Sequence, residues 1–212
     1  MIPVVPRGEP TAFDSQVRQP GRQFLTHNST PTSKEFGRND YWKKARDDLW
    51  EAYSGICAYS CFYMMPEYAT VDHFLPKSSH PSEAFEWSNY RLCIRKLNGN
   101  KADSTEVIDP FDVKDTWFML DFPSCLVRSG NELNPVLKKK IDDTIRILKL
   151  NEDDSLVQER CDIMVDYAGG NLTLNFLKKR YPFLAVEIER QRLAELAVSV
   201  FKTRKSSSGR YI

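Results

Sequence analysis

The chain has 212 residues, a formal charge of +1 from 30 Lys and Arg against 29 Asp and Glu, and 41% hydrophobic residues. That is enough apolar material for one ordinary domain, or one with a helical extension, and twelve Phe, nine Tyr and four Trp argue against a disordered chain. The balanced charge excludes a globally basic nucleic-acid binder, so any such surface must be local, and no apolar run of about 18 residues offers a membrane span.

Residues 1–40 are rich in Pro, Gly, Ser, Thr and Arg. Pro3, Pro6, Pro10, Pro20 and Pro31 block long helices, and the segment reads as an extended arm anchored by Phe13, Val17, Phe24 and Leu25. The start, Met1 to Arg7, lacks the apolar core of a secretory signal, and five cysteines do not suggest an extracellular disulfide framework, so a reducing cytoplasm is expected. Residues 40–54 read as a helix from Tyr41, Ala45, Leu49 and Tyr53, with Asn39 or Asp40 to cap it and Gly55 to end it. Residues 56–75 read as a β-hairpin that turns at Pro66-Glu67, with a strand over Ala69 to Phe74. Loop follows from Pro76 to Ser82, and Ala84 to Leu92 reads as a helical turn. Short strands are expected near Val107, Trp117–Leu120 and Cys125–Val127. Residues 134–201 are strongly helical, with apolar stripes at Ile141/Ile145/Leu148, at Val157/Cys161/Met164/Val165 and at Val186/Leu193/Leu196/Ala197/Val200.

The densest cluster of reactive side chain types lies between residues 57 and 101 and holds two of the three histidines. Asp72 and His73 are adjacent at the end of the expected strand. Adjacent strand residues face opposite ways unless the strand ends, and Phe74-Leu75-Pro76 ends this one. A carboxylate and an amide oxygen, Asp72 and Asn98, are the ligand types that Mg²⁺ or Mn²⁺ takes, and a neutral imidazole is suited to deprotonate water near pH 7. Asn89 is placed to hydrogen-bond across the loop. Between residues 74 and 101 five basic side chains, Lys77, Arg91, Arg95, Lys96 and Lys101, stand against Glu83 and Glu86, which suits phosphate contacts or a solvated face.

Four stretches carry a resemblance: Gly55-Ile56-Cys57-Ala58-Tyr59-Ser60-Cys61, then Val71-Asp72-His73-Phe74-Leu75-Pro76-Lys77-Ser78, then Trp87-Ser88-Asn89-Tyr90-Arg91-Leu92, then Asn98-Gly99-Asn100-Lys101. Together they resemble the HNH endonuclease motif, a ββα-metal unit that hydrolyses phosphodiester bonds, over about residues 54–103. The wider chain is similar to the HNH subunits of Septu- and retron-type anti-phage systems, which work with an ATPase partner. The resemblance implies that His73 is the general base, that Asn89 orients it and the loop, and that Asp72 and Asn98 bind the metal. It further implies that Lys101 contacts the scissile phosphate, and that DNA is the usual substrate, with RNA left open. Many such proteins carry a structural Zn²⁺ on two cysteine pairs. Here Cys57 and Cys61 are spaced C-x3-C and Leu97 stands where the partner of Cys93 is expected, so the three cysteines read as small buried hydrophobes or as an incomplete zinc set.

The expected fold class is α+β, a ββα-metal core embedded in a mainly helical body. The expected division is an arm over 1–40, a nuclease core with its flanking helix and strands over 41–131, a helical region over 132–201 and a basic tail over 202–212. The alternative function is a catalytically silent or partner-activated nucleic-acid-binding or regulatory subunit. No phosphate-binding loop of the G-x4-G-K-[ST] type is present, so any ATP chemistry falls to a partner.

Overall fold

The computed structural model describes residues 1–192, which are mixed α+β with two small two-stranded antiparallel sheets. They group into two compact units. One is Pro3–Val113; the other is Met1–Ile2 with the chain from Lys114 onward.

In the first unit the arm is helical rather than extended. A π-helical turn over Asp14–Arg18 runs into α1 (Gln19–His27), and α2 (Ser33–Arg38) follows. Pro20 falls within the first two positions of α1, just after the wider π turn, where its missing N–H breaks little. Thr32 and Glu35 cap α2 reciprocally. The anchors explain why this segment docks. Phe13 and Val17 are buried, and Phe13 lies edge-on to Trp87 and Tyr90 at ring distances of 5.5 and 5.7 Å. Arg18 and Arg22 both reach Glu86 at 2.8 Å. Gly21 lies so close to Phe85 that an added Cβ would fall 2.1 Å from the ring. Gly21→Ala should therefore lower stability by about 1–3 kcal/mol through overpacking. Urea unfolding checks this, and an unmoved midpoint would refute the close fit.

The helix expected over 40–54 is a 3₁₀ turn, Tyr41–Ala45, continuing into α3 (Arg46–Ala52). Gly55 ends it at φ +69°, where a side chain would also meet Trp50 and Tyr63 at 2.8 Å. The hairpin differs from expectation. Residues 56 and 63 make only an isolated bridge. The strand β1 (Ala69–His73) pairs instead with β2 (Tyr90–Ile94), antiparallel, with Asp72 opposite Arg91 and His73 opposite Tyr90. Residues 84–92 are thus loop, a 3₁₀ turn and strand rather than a helical turn. Helix α4 (Arg95–Lys101) follows β2 directly, which gives a β1–β2–α4 order with a long loop over 74–89 between the strands.

The second unit pairs β3 (Phe118–Asp121) with β4 (Leu126–Ser129) and adds α5 (Pro135–Ile147), α6 (Asp154–Ala168), α7 (Leu174–Arg180) and α8 (Pro182–Arg190). Asn134, Asp153 and Thr173 accept backbone N–H groups at the starts of α5, α6 and α7. The strands group with these helices, not with the first unit, because polar side chains bind them there. Glu187 Oε2 accepts from Leu120 N at 2.8 Å, and Arg160 Nε donates to Cys125 O at 2.7 Å. Ile141, Ile145 and Leu148 are buried as expected. The stripe on α6 is shifted: Leu156, Arg160, Ile163 and Met164 are buried while Val165 is exposed. Arg160 sets that register, since its guanidinium satisfies the Cys125 and Leu150 carbonyls, and an apolar pattern does not register an inward arginine. Val186 is exposed on α8, whose buried face is Phe183, Leu184, Glu187 and Ile188. The rest of the third stripe and the basic tail lie outside the described residues.

Candidate functional site

The end of β1, the long loop and α4 assemble the residues singled out from the sequence, on two sides of one strand. Asp72 and His73 remain on opposite faces although the strand ends at His73. Asp72 is 2% exposed, and its Oδ2 accepts a hydrogen bond from the Tyr59 hydroxyl at 2.6 Å. Its Oδ1 accepts from Lys101 Nζ at 3.1 Å, and the same ammonium donates to the His73 carbonyl at 2.9 Å. Burial pushes the Asp72 carboxyl above its ordinary value, and Lys101 and Tyr59 pull it part of the way back. Burial and the neighbouring carboxylate push the Tyr59 hydroxyl well up, so it acts here as a donor.

His73 faces the loop. Its Nε2 lies 2.9 Å from the Ala84 carbonyl oxygen, which also accepts from the Tyr90 hydroxyl at 2.9 Å. A carbonyl only accepts, so this contact puts the imidazole proton on Nε2 and leaves Nδ1 as the basic nitrogen. Trp42 packs edge-on against the ring at 5.0 Å, and Lys77 Nζ lies 5.3 Å above the Trp42 ring. Burial, reinforced by the charge of Lys77, holds the imidazole down at about 3. It is neutral across the physiological range.

That value has a consequence for folding. The ordinary imidazole titrates near 6.5, so an unfolded chain takes up a proton that the folded one refuses. Stability of the metal-free protein should fall as pH drops below about 6.5, continuing toward about 3, by up to about 1.4 kcal/mol per pH unit from this group. Urea unfolding at successive pH values, wild type against His73→Gln, reads the difference. Equal slopes would contradict the depressed imidazole.

Asn89 is buried and clamps the loop at both ends. Its Oδ1 accepts from Leu75 N at 2.7 Å, and its Nδ2 donates to the Leu75 and Glu83 carbonyls at 3.0 Å. It thereby fixes the peptide next to Ala84, the residue that holds His73. It pins the loop itself and makes no hydrogen bond to α4 among those described. Asn98, on α4, gives its Nδ2 to Thr70 Oγ1 at 3.1 Å and Val71 O at 3.3 Å, which leaves Oδ1 as the amide's remaining electron-pair donor. Lys101 lies one turn further along the helix and meets β1 one step further on.

The donor set of Asp72 and Asn98 is oxygen-only and matches a hard divalent cation such as Mg²⁺ or Mn²⁺ in chemistry. Its one carboxylate already carries the Lys101 ammonium. Among the described residues no three His, Cys, Asp or Glu side chains are grouped to hold a metal. The same holds for Cys57, Cys61 and Cys93: all three are buried, but they do not converge as a zinc set. Cys57 and Cys93 hydrogen-bond each other. Burial pushes both thiols up; contacts from Cys93 and Ser60 bring Cys57 down to about 6, while Cys93 stays raised.

Two of the five expected nucleic-acid contacts are corrected. Arg91 is buried, paired with Asp109 at 2.5 Å and bonded to the Ser88 and Tyr90 carbonyls, with its guanidinium 3.5 Å from the Phe111 ring centre. Lys101 has a side chain 0% exposed. Both positive charges are consumed internally, by carboxylates distant in sequence. Lys77 is half-buried, and Arg95 and Lys96 are exposed at the start of α4. The sequence reading missed Tyr59, Tyr90 and Trp42. Their one signal is the polar edge that a buried tyrosine must satisfy.

No helix among the described residues is long and apolar enough to cross a membrane. No protein-family model matches the chain. The chain is 28% identical over 143 residues to the Septu protein PtuB of Bacillus thuringiensis, an alignment that takes in 64% of this chain and 54% of that protein. The chain thus spans about half the length of the curated relative it matches.

Proposed function

We propose that this chain is an HNH-type endonuclease of a Septu-like anti-phage defence system, hydrolysing phosphodiester bonds in DNA. One observation carries the reading: at the end of β1 in a β1–β2–α4 unit, His73 is neutral, with Nε2 bound to Ala84 and Nδ1 left as the base. The distant similarity to PtuB supports the defence context.

In this reading Nδ1 of His73 takes a proton from water as the oxygen attacks phosphorus and the 3′ oxygen leaves. Asn89 and the Tyr90 hydroxyl hold the loop carbonyl that fixes the ring's tautomer and aim. Lys77, Arg95 and Lys96 receive backbone phosphates and give the binding its salt dependence. Mg²⁺ or Mn²⁺ held by Asp72 and Asn98 would supply Lewis-acid stabilisation of the charge developing on the phosphate.

Burial of His73 and Asp72, 7% and 2% exposed, favours a second reading alongside the first. In that reading the subunit stays silent until a partner, an ATPase in this setting, opens access to the site. Incubation with supercoiled plasmid in Mg²⁺, Mn²⁺ or EDTA tests both. Nicking in metal alone supports the nuclease, and nicking only after addition of the partner supports the silent subunit. Unchanged plasmid in every condition, partner included, would refute both.

A further inference from the structure

We propose that Lys101 is a tethered cation that competes with a divalent metal for Asp72, so that the metal-free site is latched and metal enters only as the ammonium withdraws. This rests on the metal-dependent nuclease reading and adds a control element to it.

Three observations carry it. First, the Lys101 ammonium is fully buried and is committed to the site. It donates to Asp72 Oδ1 and the His73 carbonyl, and lies 5.8 Å from the Phe74 ring centre. Second, the charge is already balanced. Asp72 is the carboxylate in contact with Lys101, and the other carboxylate nearby, Asp109, is spent on Arg91. A divalent ion added beside an intact Asp72–Lys101 pair would leave a buried excess of two positive charges, with Arg91 and Lys77 adding to the repulsion. A phosphodiester brought by substrate reduces that excess and offers the ammonium another anion. Third, a strained joint follows directly. Ala102, next after Lys101, sits at φ 46°, ψ −130°, a conformation that favours glycine, so the end of α4 is held against backbone preference. Displacing Lys101 gives that joint a way to relax.

The test is Mn²⁺ binding, read by electron paramagnetic resonance without any cleavage step. Lys101→Met should bind Mn²⁺ at least tenfold more tightly than wild type, and Asp72→Asn added to it should abolish the gain. A merely structural lysine would, on removal, weaken binding or leave it unchanged, and either result overturns the proposal. Because Lys101→Met leaves Asp72 unpaired and risks misfolding, a measurement on wild type stands beside it. The ε-¹⁵N signal of Lys101, followed by NMR, should move when Mg²⁺ saturates the protein in the presence of a short DNA duplex. A signal unmoved at saturation refutes displacement. The two levels fail separately: metal-dependent plasmid nicking with unchanged Mn²⁺ affinity in Lys101→Met sinks the latch alone. Tighter Mn²⁺ binding with no nicking under any condition sinks the nuclease alone.

Discussion

Asp72→Ala is expected to destabilise the protein by about 3–5 kcal/mol, the largest stability effect of any single change near the site. The reason is what the substitution leaves behind. Lys101 has a side chain 0% exposed, and its ammonium would lose its only carboxylate partner in the site while remaining out of water. The Tyr59 hydroxyl, also buried, would lose the acceptor it meets at 2.6 Å. An intact ion pair of this kind gains little over an apolar pair, because desolvation offsets most of the attraction, whereas half a pair is costly. The double variant Asp72→Ala/Lys101→Met should therefore be more stable than Asp72→Ala alone, despite carrying one more change. Urea unfolding of wild type, each single variant and the double closes the cycle. Destabilisations that simply add would mean that the contact carries no coupling, and would also remove the basis for the latch.

The same pair shows which features the sequence makes legible. Asp72, His73, Asn89 and Asn98 stand out by type and order, and they do gather around β1, the loop and α4. What they bond to is not legible, because it depends on pairing across the loop over 74–89. Local β-propensity marks Ala69–His73 as a strand but does not name Tyr90–Ile94 as its partner, and the aromatic run after Cys57 offered a nearer, incorrect one. Charge in a sequence likewise carries no depth. Arg91 and Lys101 look like a basic face with Arg95 and Lys96, yet they are buried because Asp109 and Asp72 lie opposite them in space. The arm failed for a related reason. Its prolines forbid helix interiors but not helix starts, and Pro20 sits at a start. On α6 an inward arginine moved the buried stripe by one residue, which an apolar period cannot register.

His73→Ala is expected to lower the rate of phosphodiester hydrolysis by about 10²–10⁴, the range that a positioned general base supplies. The loop it contacts should survive the change, since the Ala84 carbonyl keeps its bond from Tyr90 and Asn89 keeps its three bonds to the loop backbone. Loss of activity would then report the missing base rather than a collapsed site, and matching circular dichroism spectra of the two proteins would establish that. The decisive comparison is nicking of supercoiled plasmid by wild type and His73→Ala, purified through identical steps, in Mn²⁺ with the partner present if the subunit alone is silent. Nicking by wild type with at least a hundredfold loss in His73→Ala is the predicted result. Nicking at equal rates by both would contradict His73 as the base and, with it, the site proposed for this protein.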